Sequence, residues 1–318
     1  MSTRLATSGV RHVSIGADDA GRRLDNFLLS QLKGLPRSRI YRMIRGGEVR
    51  VNGRRARPDR RLEAGDDLRL PPVRLAPPPV IRAGRDQMDW LAERVLYEDR
   101  DLLVLDKPAG LAVHGGSGIS HGAIELLRQA RDTTDLELAH RLDRDTSGCL
   151  LIAKRKPALR HLHAQLREGT MRKHYAALLH GVLPGPERFV DAPLLTNQRR
   201  GGERFVTVSE SGKAARSRFR PREVLRKMTW VDVIIDTGRT HQIRAHAAHI
   251  GHPVAGDSRY GDIDSPALAR AGLQRLFLHA ASLSFDSPRD ERAITVQSPL
   301  PPELETVLQN LRSRSRRP

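Results

Sequence analysis

The residue best placed to do chemistry is Asp143, which lies within the segment HRLDRDTSG that spans residues 140–148. Arg141 and Arg144 flank this carboxylate, and adjacent positive charge favours the ionised form of an acid even when it is partly buried. An ionised aspartate in such a place can act as a nucleophile or as a base. The structural alternative is that Asp143 or Asp145 merely caps the turn that follows.

The residues around this segment predict strands on both sides of it. An uninterrupted apolar run, Cys149–Ala153, comes directly after it and indicates a buried strand. Leu136 and Leu138 alternate with polar neighbours before it. Asp143 is therefore expected in the connection between two strands. The chain has 1 cysteine, which excludes an internal disulfide and fits a reducing compartment.

The segment HRLDRDTSG resembles the signature of the RluA-type pseudouridine synthases, enzymes that turn a uridine in RNA into its C-glycoside isomer. The resemblance implies that Asp143 is the catalytic aspartate of an isomerase. It also implies that Arg141 contacts the RNA, by filling the place that the flipped uridine leaves. Neither a metal nor a cofactor is implied.

Tyr175 lies in an alternating stretch, KHYAALL, that predicts a half-buried strand. A tyrosine on a strand is often a core residue whose hydroxyl reaches water. However, KHYAAL resembles the second motif of the same family, in which the tyrosine stacks against the target base and is implicated in proton transfer. The resemblance therefore implies that Tyr175 is a catalytic residue.

Arg244 follows a predicted strand that begins at Trp230 and lies on a predicted helix. The buried stripe of that helix consists of Ile243, Ala247 and Ile250. Arg244 borders this stripe, and a desolvated guanidinium needs a carboxylate or phosphate partner. The segment TGRTHQIRAH resembles the third family motif, whose arginine pairs with the catalytic aspartate. The expected partner of Arg244 is therefore Asp143.

Two further residues near these motifs, Lys107 and His241, are expected to contact RNA. Lys107 belongs to DKPAGLAVH, which resembles a family segment close to the catalytic cleft. Several histidines follow His241, but they scatter around the predicted helix, and zinc needs its ligands on one face. We therefore expect no metal site.

The charge of the chain predicts a polyanionic partner. Lys and Arg number 55 against 37 Asp and Glu, a formal net charge of +18. Such an excess favours nucleic acid, since neutralising phosphates releases bound counterions. No apolar run is long enough to span a membrane, and no secretory signal is visible. A cytoplasmic protein is expected.

The stretch from residue 21 to residue 72 resembles the S4 RNA-binding domain, mainly in RLDNFL and SRIYRMIRGGEVRVNG. Two amphipathic helices followed by a small strand group are expected here. A strong excess of arginine favours an RNA-binding surface over a merely solvated face. The expected RNA contacts are Arg37, Arg39, Arg42, Arg45 and Arg50.

The fold class expected from pattern and resemblance is α+β. The expected catalytic domain has a mixed, largely antiparallel sheet and follows the small S4-like domain in the sequence. The expected division is an N-terminal arm (1–20), the S4-like domain (21–72), a stiff spacer rich in proline (73–92), the catalytic domain (93–310) and a disordered basic tail (311–318).

The expected function is isomerisation of specific uridines of large-subunit (23S) ribosomal RNA, because LRLPPVR and APLLTNQRRGGERF resemble the subgroup with that substrate. A monomer is expected. Two alternatives are the same chemistry on another structured RNA and a non-catalytic ribosome-assembly factor. A hydrolytic glycosidase using Asp143 and Asp145 is disfavoured, because residues separated by one position cannot face each other across a scissile bond.

Overall fold

The computed structural model describes residues 9–32, 35, 37–73, 84–115, 121–200, 203–261 and 265–315. Contacts between Cα atoms separate the chain into two units, Met1–Arg82 and Ala83–Pro318. Among the described residues, no helix combines the length and the apolar composition that crossing a bilayer requires.

The N-terminal unit packs two helices against a small antiparallel sheet. Its elements are β1 (Arg11–Ser14), a 3-10 turn (Ala17–Asp19), α1 (Leu24–Gln31), α2 (Arg37–Arg45), β2 (Arg50–Val51), β3 (Arg54–Arg55) and β4 (Asp67–Leu70). The strand order is β1-β4-β2-β3. The predicted hairpin joins β2 to β3 through Asn52 and Gly53, whose φ angles are 49° and 74°. Apolar side chains from both helices and the strands share one core, including Leu24, Phe27, Ile40, Met43, Val51 and Leu68.

The segment predicted as a spacer, residues 73–92, is helical in its second half. There α3 (Arg85–Ala92) buries Leu91 in the main core of the C-terminal unit. This apolar anchor makes the helix part of that unit and corrects the predicted extent of the spacer. The prolines on which the prediction depended fall within residues 74–83, which lie outside the described residues.

The C-terminal unit is built on one large sheet with helices packed against it. Its strands are β5 (Val95–Glu98), β6 (Leu102–Lys107), β7 (Glu137–Leu138), β8 (Ser147–Ala153), β9 (Arg172–His180), β10 (Arg188–Asp191), β11 (Leu194–Arg200), β12 (Glu203–Val208), β13 (Arg216–Leu225), β14 (Met228–Ile235), β15 (Leu278–Asp286) and β16 (Ala293–Gln297). Its remaining helices are α4 (Ala123–Ala130), α5 (Lys156–Glu168), α6 (Gln242–His249), α7 (Pro266–Ala271) and α8 (Pro302–Ser315).

The large sheet is mixed and largely antiparallel, as predicted. Its main path runs β10-β13-β14-β9-β15-β8-β6-β5, with β16 beside β15 and β7 beside β8. Among the described strands, β8 and β15 form the one parallel pair. A separate hairpin is made by β11 and β12.

The apolar run after the HRLDRDTSG segment forms β8, in the middle of this sheet. Leu150 and Ile152 enter one core cluster, while Cys149, Leu151 and Ala153 enter the cluster on the opposite face. A strand buried on both faces requires a continuous apolar run rather than an alternating one, which explains the pattern seen in the sequence.

Gly148 allows the parallel pairing of β8 with β15. Its φ angle is +106°, and an added Cβ would lie 2.3 Å from the carbonyl oxygen of Ala280. Only glycine permits this approach and this backbone conformation. The close pairing holds the end of the loop that carries Asp143 against the centre of the sheet.

The predicted basic tail, residues 311–318, is helical up to Ser315. Leu311 is buried, and the guanidinium of Arg312 donates to the carboxylate of Glu223 at 2.7 Å. The last turns of α8 continue an apolar stripe that contains Leu304, Val307, Leu308 and Leu311. Burial of this stripe orders the segment despite its charge, which corrects the expectation of disorder. Residues 316–318 lie outside the described residues.

Candidate active site

Asp143 lies in the connection between β7 and β8, with 22% of its side chain exposed. The backbone N–H of Thr146 donates to the carbonyl oxygen of Asp143 at 3.2 Å and closes a turn. His140 fixes the start of the same connection, since its Nε2 accepts from the backbone N–H of Leu151 at 3.1 Å. Burial lowers the pKa of His140 to about 4, so the ring is neutral and can accept this bond.

Lys107 is buried beneath the Asp143 loop, which corrects its predicted contact with RNA. Its Nζ donates to the carbonyl oxygens of Pro108, Leu111 and Arg144 at 2.7, 2.8 and 2.9 Å. Burial lowers the pKa of this ammonium to about 7, and the nearby charges of Asp145 and Asp143 oppose that shift. With no exposed surface and all three donors used, the side chain has nothing left to offer a phosphate. It instead ties the Asp143 loop to the end of β6.

Replacing Lys107 by methionine should lower the free energy of unfolding of the C-terminal unit by about 2–4 kcal/mol, because three carbonyl oxygens lose the buried ammonium that links them. Both tryptophans, Trp90 and Trp230, lie in this unit, so their fluorescence during urea unfolding reports on it. Lys227→Met, at an exposed position between β13 and β14, is the matched control. The two variants unfolding at the same urea concentration would contradict the role assigned to Lys107.

The arginines that flank Asp143 in the sequence do not neutralise it. Arg144 is exposed, and its Nε donates to the carboxylate of Asp145 at 3.1 Å. Arg141 is exposed at the rim of the pocket. The cationic and imidazole groups near Asp143 come from α6 and the residue before it. Arg244 Nη1 lies 3.7 Å from Asp143 Oδ2, and His241 Nε2 lies 3.9 Å from Oδ1.

Arg244 has a closer partner than the predicted one. Its Nε and Nη2 donate to the two carboxylate oxygens of Asp257, both at 2.7 Å, and this pair is buried. The backbone N–H groups of Arg259 and Tyr260 also donate to Asp257, at 2.9 and 3.1 Å. Burial raises the pKa of the Asp257 carboxyl, but these donors outweigh it and leave the pKa below its usual value. Asp257 therefore orients Arg244 while Nη1 remains directed towards Asp143.

Sequence reasoning missed Asp257. A buried arginine needs a neutralising carboxylate, and the sequence predicts one such partner where the structure supplies two. Asp257 lies in a loop after α6 without periodic pattern, so its burial leaves no local signal.

Tyr175 lies on β9, opposite Val233 of β14, and is almost fully buried. Burial raises the pKa of its phenol well above the usual value, and the negative charge of Asp143 raises it further. The phenol is thus neutral at every physiological pH.

The three residues predicted as catalytic line one pocket. Its walls consist of Arg141, Leu142, Asp143, Thr146, Tyr175, Ile235, Gly238, Arg239, His241, Gln242, Ile243, Arg244 and Leu278. Apolar and aromatic side chains there suit a planar ring, while a part-exposed carboxylate stands beside them. Such a pocket can hold a flipped base against a nucleophile or a base.

Two buried histidines, one on α6 and one on β15, are hydrogen-bonded within the protein. His246 contacts the Ser217 hydroxyl and the Ala192 carbonyl oxygen, both at 2.9 Å. His279 likewise contacts the hydroxyl of Ser147, at 2.9 Å. Among the described residues, no group of three or more His, Cys, Asp or Glu side chains could hold a metal ion.

The arginines of the N-terminal unit differ in what they contact. Arg39 forms two hydrogen bonds with the carboxylate of Glu48, at 3.1 and 3.0 Å. Arg50 donates to backbone carbonyl oxygens. Arg42 and Arg45 are exposed in the second half of α2. The side chain of Arg37 lies outside the described residues.

Two family models match the chain. The model described as RNA pseudouridylate synthase matches residues 101–249, a range that contains Asp143, Tyr175 and Arg244. The model of the S4 domain matches residues 22–68.

Relatives match over nearly the whole length. The ribosomal large subunit pseudouridine synthase C of Escherichia coli (strain K12) is 50% identical, covering 98% of this chain and 99% of that protein. The protein of the same name from Pasteurella multocida is 48% identical over 97% of this chain and 96% of its own length.

Solved structures agree with the fold. Human RNA pseudouridylate synthase domain containing 4 has a TM-score of 0.58 and 25% identity, covering 72% of this chain and 96% of its own. Human RNA pseudouridylate synthase domain containing 1 has a TM-score of 0.55 and 26% identity over 69% and 94%. The chain therefore belongs to the RluA-type family of RNA pseudouridine synthases, which are isomerases, and it carries an S4 domain before the synthase domain.

Proposed function

We propose that this protein converts specific uridines of large-subunit (23S) ribosomal RNA into pseudouridine. The observation that carries the proposal is identity of about one half, over the full length, with proteins named ribosomal large subunit pseudouridine synthase C. The pocket supports the same interpretation, because the part-exposed carboxylate of Asp143 lines it together with Tyr175 and several apolar side chains.

The proposed reaction begins when the target uridine leaves the base stack and enters the pocket, at a cost of a few kcal/mol. Arg141, exposed at the rim, would fill the vacated place in the RNA. Asp143 then attacks C1′ or the base, or removes the 2′ proton. After the N1–C1′ bond breaks, uracil turns within the pocket and joins C1′ through C5, and Asp143 is released from the carbon that it attacked or returns the proton to C2′. The C5 proton is lost and N1 gains one, so the product is an isomer.

Three side chains would support Asp143 in this scheme. Tyr175 would stack on the uracil ring, since its buried, neutral phenol suits contact with a planar base. Arg244 and His241 would orient the carboxylate, because Nη1 and Nε2 face its two oxygens at 3.7 and 3.9 Å.

The decisive experiment maps pseudouridine in ribosomal RNA from cells with and without the gene. We expect specific large-subunit sites to revert to uridine in the deletion and to be restored by the wild-type gene. Unchanged ribosomal RNA together with losses in another RNA would instead favour the alternative of a different structured substrate. No loss in any RNA would favour a non-catalytic assembly factor.

The glycosidase alternative is tested with the purified protein. Hydrolysis would release free uracil, whereas isomerisation keeps uracil attached to the chain. Asp145, the second carboxylate such an enzyme would need, is paired with Arg144 at the surface. We therefore expect pseudouridine and no free uracil.

We further propose that the N-terminal unit holds the RNA through α2, where Arg42 and Arg45 are exposed and Arg39 is already paired with Glu48. Replacing Arg42 and Arg45 by alanine should weaken RNA binding and reduce the slope of log K against log salt by about one per arginine. Arg289→Ala, at an exposed turn outside this unit, is the matched charge control. An unchanged salt slope in the double variant would contradict RNA binding through Arg42 and Arg45 of α2.

We also propose a cytoplasmic monomer, because its RNA substrate is found in the cytoplasm and one chain contains the whole pocket. Light scattering of the purified protein at several concentrations tests the monomer.

A further inference from the structure

Tyr260 is hydrogen-bonded to His241, and the other face of the His241 ring is directed towards Asp143. The backbone N–H of Val206, on β12, donates to Tyr260 Oη at 3.0 Å. Tyr260 Oη lies 2.9 Å from His241 Nδ1, and His241 Nε2 lies 3.9 Å from Asp143 Oδ1. The imidazole is therefore placed between a phenol and a carboxylate.

We propose that Tyr260 is a positioning residue that holds His241 in the tautomer with its proton on Nε2, so that an N–H group faces Asp143. The inference goes further than the proposed function and rests on it, because it assigns a supporting residue to the proposed catalytic carboxylate.

The groups that face the two ring nitrogens favour the same tautomer. Tyr260 Oη already accepts a proton from Val206, so its own proton is available to His241 Nδ1. A proton on Nδ1 would instead leave the lone pair of Nε2 facing an oxygen of Asp143. Two electron-rich atoms would then oppose each other, whereas an Nε2–H group is attracted to the carboxylate.

Burial favours the neutral form of His241, so its tautomer matters. Burial lowers the pKa of the imidazole, and the positive charges of Arg244 and Arg259 lower it further. The negative charges of Asp143 and Asp257 act in the opposite direction without outweighing burial. A neutral imidazole carries one proton, and its neighbours decide which nitrogen holds it.

The ring of Tyr260 is itself held in place. It stacks on Phe205 with ring centres 4.7 Å apart, and the Arg244 guanidinium lies 5.1 Å from its centre. His241 meets it edge-on at 5.6 Å. Because these contacts use the ring and not the hydroxyl, removing the hydroxyl alone leaves the packing intact.

The consequence for Asp143 is orientation without a tight bond. One oxygen faces His241 Nε2 at 3.9 Å and the other faces Arg244 Nη1 at 3.7 Å. Neither distance is that of a direct hydrogen bond. The carboxylate is thus turned towards the pocket while its lone pairs stay available to a substrate.

The first test is ¹⁵N NMR of the full-length protein labelled at histidine, with the His241 signals assigned by their loss in His241→Gln. We expect the Nε2–H pattern in the wild type and a mixed pattern in Tyr260→Phe. A wild-type ring protonated on Nδ1, or a pattern that Tyr260→Phe leaves unchanged, would overturn the inference.

The second test is the rate of pseudouridine formation. Tyr260→Phe should lower kcat about tenfold, as expected for one lost hydrogen bond at a reacting group. Tyr97→Phe, which removes a hydroxyl bonded to Asp99 elsewhere in the unit, is the control and should keep its rate. In a His241→Gln background, Tyr260→Phe should lower kcat by less than about twofold, because an amide has no tautomers. Equal losses of kcat in both backgrounds would show that the hydroxyl stabilises the fold and does not act through the imidazole.

The two proposals fail differently. A wild-type protein that forms no pseudouridine in any RNA refutes the proposed function, while the NMR pattern still decides the tautomer. An active wild type with its proton on Nδ1 refutes the role of Tyr260 alone.

Discussion

Asp143→Asn is expected to lower pseudouridine formation by at least about 10³-fold while RNA binding changes less than about threefold. An amide is nearly the same size as the carboxylate, but it neither attacks carbon nor accepts a proton at neutral pH. The loss therefore falls on the chemical step. Release of tritium from RNA labelled at uracil C5 measures the reaction, and an electrophoretic shift with the same RNA measures binding.

Asp145→Asn is the matched control, since it makes the same chemical change two positions further along the same loop. The Asp145 side chain is 43% exposed, pairs with Arg144 at the surface and does not line the pocket. We expect its loss of rate to stay below about tenfold. Comparable losses in both variants would mean that the carboxylates support the loop rather than the reaction. Full activity of Asp143→Asn would end the proposed mechanism.

The second large effect is expected at Asp257. Asp257→Ala should lower the free energy of unfolding of the C-terminal unit by about 3–5 kcal/mol, because it leaves the buried guanidinium of Arg244 without its two-point partner. At about 2–4 °C per kcal/mol, the midpoint of thermal unfolding falls by roughly 6–20 °C. Activity should fall too, since Arg244 becomes free to bind Asp143 directly and occupy its lone pairs. Tryptophan fluorescence measures the first loss and tritium release the second.

Two further variants test whether the burial of the ion pair, and not its geometry, causes the expected loss of stability. Glu223→Ala removes an ion pair in which Arg312 Nε and Nη2 likewise donate to one carboxylate, but both side chains are about one third exposed. Its expected cost is below about 1 kcal/mol, because water solvates the remaining cation. The double variant Arg244→Met/Asp257→Leu removes both buried charges and should recover most of the stability without recovering activity. A double variant as unstable as Asp257→Ala would show that packing, not charge, causes the loss.

Much of this protein is determined locally by its sequence. The continuous apolar run after residue 148 predicts a buried strand, and it forms β8, which is buried on both faces. The hairpin turn at Asn52 and Gly53 is likewise predictable from the sequence, because a two-residue turn of this type needs two positive φ angles, which Asn and Gly can adopt. The motifs around Asp143, Tyr175 and Arg244 indicated the family, and the fold brings these three residues to one pocket. Periodicity, turn chemistry and motifs are short-range properties, so they can be read without coordinates.

Only the tertiary structure decided what each charge contacts. Lys107 reads as a surface cation, yet it donates to the carbonyl oxygen of Arg144, 37 positions away, beneath the loop it supports. The sequence predicts one carboxylate partner for Arg244. The structure supplies two, and the closer one is Asp257, 13 positions away in a loop. A side chain's charge is known from the sequence, but its solvation depends on which distant segments surround it. Burial sets whether that charge binds RNA, orients a catalytic group or holds a loop, and burial exists only once the sheet and its loops have assembled.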